Sequence, residues 1–262
     1  MQWRKSELAV PQARRREPVL IKLQSLRDHI GDTLMQTGNK KATNTGVNHN
    51  PGGKTSDNVA LNKVPEAITA AILVGGDARR FHGTMKPALA VGEQTILDRQ
   101  RAALADAGIH DVLLVGRWGA AVVTGVRHVP DVVDAGGAMR GLYSALLVAT
   151  SPVVLVLAGD VPFVTAALIR TLAAIGDDDA VVPRTAGTWH PLCATYRRIV
   201  APALKRRLDA GLWRITDALA EMRVREVTVS DLRQVDSDGR LLMNVNTPDD
   251  HRQAERLLRP RS

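Results

Sequence analysis

The sequence of 262 residues is poor in cysteine and in aromatic residues. Its single cysteine, Cys193, excludes a disulfide framework and a metal site built from cysteines. Its four tryptophans, Trp3, Trp118, Trp189 and Trp213, are too scattered to predict a stacking platform. No apolar run approaches the length of a membrane span, and the first residues show no signal-peptide pattern. We therefore expect a cytoplasmic protein without membrane contact.

The net charge of +8 suggests a nucleic-acid partner, but its distribution argues against one. Residues 1–65 contain eleven Lys or Arg and five Asp or Glu, whereas the remainder contains 24 and 22. The basic excess therefore belongs to the first part of the chain. Nucleic acid is not expected as a partner of the remainder.

Composition also changes at this boundary. Residues 39–63 are polar and rich in Asn, Gly, Thr and Lys, without hydrophobic periodicity. Such a segment cannot bury enough apolar surface to fold alone. We predict a basic, mostly disordered extension over residues 1–65 and one folded domain over residues 66–262. The alternative for the extension is a basic arm that touches a partner or nucleic acid.

From residue 67 onward, strand patterns alternate with helix patterns. Strands are predicted at 70–74, 112–116, 126–129, 153–158 and 180–183, and helices at 95–107, 141–149, 165–174, 198–210 and 248–258. This alternation predicts an α/β fold with a mainly parallel sheet and helices on both faces, in three layers. Ligands of such sheets bind beyond the carboxyl ends of the strands.

The most informative segment follows the first predicted strand and begins Leu73-Val74-Gly75-Gly76. A glycine pair at a strand end allows the backbone amides to approach a ligand closely. Arg79, Arg80 and Lys86 add positive charge within the next ten residues. Backbone amides and fixed cations together are typical of a triphosphate site. Neither GxxxxGK[ST] nor GxGxxG is present, which excludes the two commonest phosphate loops.

A carboxylate that complements this loop follows another apolar strand. Asp160 follows the apolar run Val153–Ala158 and Gly159. At the end of this strand its carboxylate can hold Mg²⁺ between the protein and the phosphates. The alternative is that Asp160 caps the following helix. Because Gly75 and Asp160 both follow predicted parallel strands, they should face the same crevice.

Five segments in the same order resemble the MobA-like nucleotidyltransferases, and most closely the molybdenum cofactor guanylyltransferases. The resemblance covers residues 67–258 and is carried by the Gly75–Lys86 loop, Ala135–Leu142, Gly159–Phe163, His190–Arg198 and Asn244–Asp250. It implies a Rossmann-like nucleotidyltransferase fold. It also implies transfer of GMP from the co-substrate GTP to molybdenum-molybdopterin, with Mg²⁺ and with release of pyrophosphate. Molybdoenzyme apoproteins or other cofactor-biosynthesis proteins would be its protein partners.

The resemblance assigns roles to particular residues. Lys86, Arg80 and Asp160 would be catalytic, with Asp160 as the metal ligand. The nucleotide would contact Leu73, Val74, Gly75, Gly76, Lys86, Asp131, Gly137, Gly141 and Asp160. Asp131, or less well aligned Asp134, would accept hydrogen bonds from guanine. His190, Asn244 and Asn246 would lie on the pterin side.

Two departures from the family pattern leave alternatives open. Met85 replaces the aspartate that usually precedes the lysine, and His82 stands where glycine is common. The sequence keeps the positive charge of Lys86, but the residue that positions it in place of the usual aspartate is not predicted. A cytidylyltransferase that uses CTP, another sugar-phosphate nucleotidyltransferase, and a degenerate binding protein of the same fold remain as alternative functions.

Overall fold

One mixed sheet, covered by helices, organises the part of the chain that the computed structural model describes, residues 67–75, 85–119, 123–236 and 238–258. The strands are β1 (Ile68–Leu73), β2 (Ala90–Val91), β3 (Gln94–Thr95), β4 (Asp111–Val115), β5 (Arg127–Val129), β6 (Val153–Ala158), β7 (Ala180–Thr185), β8 (Thr188–Trp189), β9 (Cys193–Arg197) and β10 (Val224–Val227). The helices are α1 (Ile96–Asp106), α2 (Gly137–Val148), α3 (Ala166–Ala173), α4 (Ala201–Asp209), α5 (Ile215–Leu219), α6 (Val229–Arg233) and α7 (Pro248–Leu258). Short 3₁₀ turns lie at Lys86–Ala88 and Arg198–Val200.

The main sheet has the strand order β10-β7-β9-β6-β1-β4-β5. Neighbouring strands are parallel except at β9, which is antiparallel to both β6 and β7. In the register of the central strands, Leu73 lies opposite Val115 of β4 and Ala158 of β6. The loops that follow β1, β4 and β6 therefore leave the same edge of the sheet. This arrangement confirms the predicted α/β class and the mainly parallel sheet.

Alternating side chains of β1 pack on opposite faces of the sheet. Ala70 and Ile72 belong to the cluster that includes Leu104 of α1 and Leu168 of α3. Ala71 belongs to the cluster on the other face, which includes helices α2 and α4. Because each fully buried leucine side chain contributes about 1.5–3 kcal/mol, these two apolar layers hold the three-layer fold together.

Some predicted elements differ from the structure. Helix α2 begins at Gly137, four residues before the predicted start at residue 141. The second glycine-rich segment therefore forms the first turn of a helix. The predicted helix 198–210 is divided into a 3₁₀ turn and α4, which has Pro202 in its first turn. Strands β9 and β10 were not predicted, because charged and polar residues interrupt their apolar pattern.

The extension predicted over residues 1–65 lies outside the described residues. Within the described ranges, no helix is both long enough and apolar enough to cross a membrane.

Candidate functional site

An ion pair between Lys86 and Asp160 lies at the carboxyl edge of the sheet. Lys86 begins the 3₁₀ turn before β2, and Asp160 follows β6. The Nζ atom of Lys86 lies 3.0 Å from Oδ2 of Asp160, and it also donates a hydrogen bond to Oδ1 of Asn246. The two charged side chains are 22% and 17% exposed, so solvent screens their attraction only in part. The missing carboxylate at position 85 is thus offset by contacts from two distant segments.

The second carboxylate oxygen of Asp160 has no hydrogen-bond partner within the described part of the chain. This Oδ1 atom is buried, whereas the backbone carbonyl of Asp160 accepts a bond of 2.8 Å from the N–H of Val245. An unpaired buried carboxylate oxygen is costly, and such atoms call for a cation or a donor from a ligand. The described residues contain no group of three His, Cys, Asp or Glu side chains that could hold a metal. Mg²⁺ is commonly held by one or two carboxylates with phosphates and water, so Asp160 fits that ion.

Gly159 allows the three segments of this site to meet. Its N–H donates to the carbonyl of Leu73 at 3.0 Å. A Cβ atom at position 159 would lie 2.6 Å from Cγ of Pro87 and 2.9 Å from the Leu73 oxygen. The absence of a side chain is therefore required to place Asp160 beside the turn that carries Lys86.

A pocket of about 320 Å³ opens between these strand ends. Gly75 and Asp160 both line it, as predicted from their positions after parallel strands. Leu73, Gly137 and Gly141 line it as well. A Cβ atom at Gly141 would lie 3.3 Å from Cδ1 of Leu73, so this glycine also lets helix α2 pack closely on β1.

Asp131 lines the same pocket and forms an ion pair that the sequence analysis missed. Its Oδ2 atom lies 3.0 Å from Nε of Arg140, and a terminal nitrogen of Arg140 donates to the carbonyl of Asp134 at 2.6 Å. Burial raises the pKa of the Asp131 carboxyl, although the charges of Arg140 and Arg117 act in the opposite direction. Asp134 is exposed and is absent from the described pocket lining. An arginine inside a glycine-rich segment was the signal that could have indicated this pair.

The loop that carries Asp131 is attached to α2 by a buried serine. The N–H of Val132 donates to Oγ of Ser144 at 3.0 Å, and that hydroxyl donates to the carbonyl of Arg140 at 2.8 Å. Ser144 is fully buried. The same helix therefore fixes both Asp131 and its partner Arg140.

A second groove of about 430 Å³ adjoins the first and shares Asp160 with it. His190 and Asn244 line this groove. Nε2 of His190 is 2.6 Å from Oγ1 of Thr185, and burial lowers the pKa of the imidazole. Burial therefore favours the neutral form of this imidazole. Asp160 lies at the boundary between the two cavities.

Two indole rings line the second groove. Trp189 lies at its edge with the guanidinium of Arg184 5.0 Å from the ring centroid, and Trp213 is 49% exposed. Trp189 ends β8 and Trp213 lies just before α5, so two tryptophans that are distant in the sequence line the same groove. Arg214 lines the groove beside Trp213.

Asn246 is held by the start of the last helix. Its N–H and that of Thr247 donate to Oδ2 of Asp250, at 2.9 and 2.8 Å, and the N–H of Asp250 donates back to Oγ1 of Thr247. The N–H of Asn246, with smaller contributions from Thr247 and Lys86, holds the pKa of Asp250 below its ordinary value. The predicted start of this helix at residue 248 is confirmed. Asn244 lies in the groove, whereas Asn246 contacts Lys86.

Of the remaining predicted site residues, the structure describes only Val74. Val74 is fully buried, and its N–H donates to the carbonyl of Val115 at 2.8 Å. Gly76, Arg79, Arg80 and His82 lie outside the described residues.

Known proteins with similar sequences include several molybdenum cofactor guanylyltransferases. Residues 70–227 match the family described as MobA-like NTP transferase domain. The chain is 30% identical over 203 residues to the molybdenum cofactor guanylyltransferase of Desulfosudis oleivorans, covering 74% of this chain and 97% of that protein. It is 31% identical over 207 residues to the same-named protein of Mesorhizobium japonicum, covering 73% and 96%. The crystal structure of molybdopterin-guanine dinucleotide biosynthesis protein A from Archaeoglobus fulgidus superposes with a TM-score of 0.60 at 25% identity, covering 72% of this chain and 97% of that one.

Proposed function

Since this chain belongs to the MobA-like NTP transferase family and is a nucleotidyltransferase, we propose that it transfers GMP from GTP to molybdenum-molybdopterin. A phosphate oxygen of molybdopterin would attack the α-phosphorus of GTP. The new P–O bond would replace the bond between the α-phosphorus and the bridging oxygen, and pyrophosphate would leave. We expect this reaction in the cytoplasm.

The observation that carries the proposal is the position of Asp160, which pairs with Lys86 in the first cavity and also lines the adjoining groove. A transferase must hold two substrates on opposite sides of the phosphorus atom that moves from one to the other. A site with one cavity for GTP and one for the pterin satisfies this need. Asp160 lies where the two cavities meet.

Charge neutralisation supplies most of the catalysis in such reactions, because the attacking phosphate is already anionic. Lys86 would hold the β- and γ-phosphates and offset the charge that develops on pyrophosphate. Amides of the Gly75 loop and the side chain of Arg80 would assist. The free Oδ1 atom of Asp160 would hold Mg²⁺, which when bound supplies a Lewis acid for the α-phosphate.

Guanine would be recognised in the first pocket. Asp131 lines that pocket and, as a carboxylate, can accept hydrogen bonds from N1–H and N2–H of guanine. Cytosine presents a different pattern of donors and acceptors, with one exocyclic amino group. The arrangement therefore favours GTP over CTP, whose use by a cytidylyltransferase is the second candidate.

The second groove suits the pterin. A fused aromatic ring system can stack on the exposed indole of Trp213, and the guanidinium of Arg214 suits a phosphate. His190 and Asn244 offer hydrogen-bonding groups in the same groove. The molybdenum ion is part of the pterin substrate and is not a cofactor of the protein.

Equilibrium binding of GTP, CTP and ATP to the full chain with Mg²⁺ tests the proposal. Tight binding of GTP that is lost in Lys86→Ala would support it. Preference for CTP would assign the protein to the cytidylyl reaction. Absence of binding by all three nucleotides would overturn the enzymatic proposal and favour a binding protein of the same fold.

A further inference from the structure

A fully buried glutamine lies directly behind the segment that carries Asp160. Gln100 is on helix α1, and none of its surface is exposed. Its Nε2 atom donates to the carbonyl of Ala158 at 2.7 Å and to the carbonyl of Val161 at 3.0 Å. These two carbonyls flank Gly159 and Asp160. One side-chain amide therefore ties together both ends of the turn.

Gln100 is not explained by stability alone. Its Oε1 atom is buried and has no hydrogen-bond partner among the described residues. A buried polar atom without a partner costs free energy, whereas an apolar side chain of similar volume would avoid that cost. The amide orientation is fixed, because the reverse orientation would set Oε1 against two carbonyl oxygens. The benefit must come from the two donated bonds.

Helix α1 is also connected to the turn that carries Lys86. The N–H of Ile96, the first residue of α1, donates to the carbonyl of Leu89 at 3.0 Å. The Lys86–Ala88 turn ends immediately before Leu89. The same helix therefore supports the lysine turn at its start and the aspartate turn one helical turn later. A shift of Asp160 relative to Lys86 would require Gln100 to release a carbonyl.

From these contacts we infer that Gln100 is a positioning residue, which sets the Asp160 carboxylate for the cation and the phosphates of the bound nucleotide. The inference rests on the proposed function. Gln100 itself lies in the core and lines neither cavity in the described residues. It acts through the backbone of residues 158–161.

The test compares Gln100→Met with the wild-type full chain. Methionine keeps the volume of the side chain but removes both donated bonds. We measure the Mg²⁺ concentration that gives half-maximal GTP binding, and GTP binding with EDTA. Because small displacements of positioned groups cost about tenfold to a hundredfold, we expect the half-maximal Mg²⁺ concentration to rise about tenfold. GTP binding with EDTA should change little.

A destabilised control separates positioning from general loss of structure. Leu172→Ala removes a fully buried side chain of α3 on the same face of the sheet. It should lower the melting temperature without changing the Mg²⁺ dependence. Equal shifts in Leu172→Ala and Gln100→Met would overturn the inference.

A double-mutant cycle with Asp160→Asn gives a second test. If Gln100 acts through Asp160, the change to Met should cause little further loss of GTP affinity in the Asp160→Asn background. Fully additive losses would overturn the inference. Gln100→Leu, which is apolar and slightly smaller, replaces the methionine variant if that one does not fold.

The controls distinguish failure of this inference from failure of the proposed function. If the wild-type chain binds no nucleotide, both are overturned. If it binds GTP with Mg²⁺ and Gln100→Met has an unchanged Mg²⁺ dependence, only the role of Gln100 is overturned.

Discussion

The Nζ atom of Lys86 lies 3.0 Å from Oδ2 of Asp160, although 74 positions separate the two residues in the chain. The contact exists because β1 and β6 are parallel neighbours whose following segments leave the same edge of the sheet. Asn246 adds a third segment by accepting a hydrogen bond from the same ammonium group. A cation held between a carboxylate and an amide is directed toward the pocket, where phosphates can replace the carboxylate as its partner.

Replacement of Lys86 by alanine should weaken GTP binding about tenfold to a hundredfold, because a hydrogen bond to a charged group contributes about 1.5–3 kcal/mol. Isothermal titration in the presence of Mg²⁺ measures the loss. Lys205→Ala provides the matched lysine control, because the partly exposed Lys205 pairs with Asp209 on α4 and lies outside both cavities. Equal affinities for the wild type and Lys86→Ala would contradict the role of this lysine.

Arg140→Ala should make GTP binding sensitive to pH. Burial raises the pKa of Asp131, and the charges of Arg140 and Arg117 oppose that rise. Without Arg140 the pKa rises further, so the carboxylate that we propose as the acceptor for guanine becomes protonated at a higher pH. GTP affinity measured between pH 5 and 8 should therefore decline earlier on acidification in the variant. Superimposable pH profiles would show that Arg140 does not govern the charge of Asp131.

Gly159→Ala should destabilise the protein and impair the site together. The added methyl group would lie 2.6 Å from Pro87 and 2.9 Å from the carbonyl of Leu73. Such overpacking costs about 1–3 kcal/mol. Gly119→Ala is the control, because a Cβ atom there meets none of the atoms that the structure describes within 4 Å. Denaturant unfolding measures the free energy of unfolding of the two variants. Equal values would contradict the close packing at Gly159.

Trp213→Ala should raise the KM for molybdopterin about tenfold or more, since stacking of a base on an aromatic ring contributes about 1–3 kcal/mol. GTP binding should be unaffected, because Trp213 lines the second groove. The neighbouring Leu212 has a similar exposure of 53% and provides the control as Leu212→Ala. A loss of GTP affinity without a change in pterin KM would place the pterin elsewhere.

Acid should remove the contribution of Asp111 to stability. Burial alone would raise its pKa, but hydrogen bonds from Thr69, Thr150 and Arg127 lower it below the ordinary value. A lowered pKa stabilises the folded protein above the unfolded value of 3.8, and this contribution is lost as the pH falls through the folded pKa. Asp111→Asn should cost about 1 kcal/mol at pH 7, since the carboxylate is partly exposed. The difference should shrink as the pH falls below 3.8 and through the lower folded-state pKa, and a constant difference would contradict the prediction.

The sequence predicted the mainly parallel sheet and the common crevice of Gly75 and Asp160, because both depend on local patterns. Apolar runs marked β1 and β6, and the residues that follow parallel strands must share an edge. The sequence could not predict that Asn246 reaches Lys86, that Arg140 pairs with Asp131, or that Trp189 and Trp213 line one groove. Each of these contacts depends on how distant loops return to the sheet, which residue spacing does not encode. The burial of Gln100 could not be predicted, because polar residues of an amphipathic helix ordinarily lie on its exposed face.

Pyrophosphate release is the most direct test of the central claim. The full chain is incubated with Mg²⁺, molybdenum-molybdopterin and either GTP, CTP or ATP, and each reaction is repeated without the pterin and with Asp160→Asn. The account predicts release from GTP that requires the pterin and collapses in Asp160→Asn. Release from CTP in preference to GTP, or no release from any nucleotide, would contradict it.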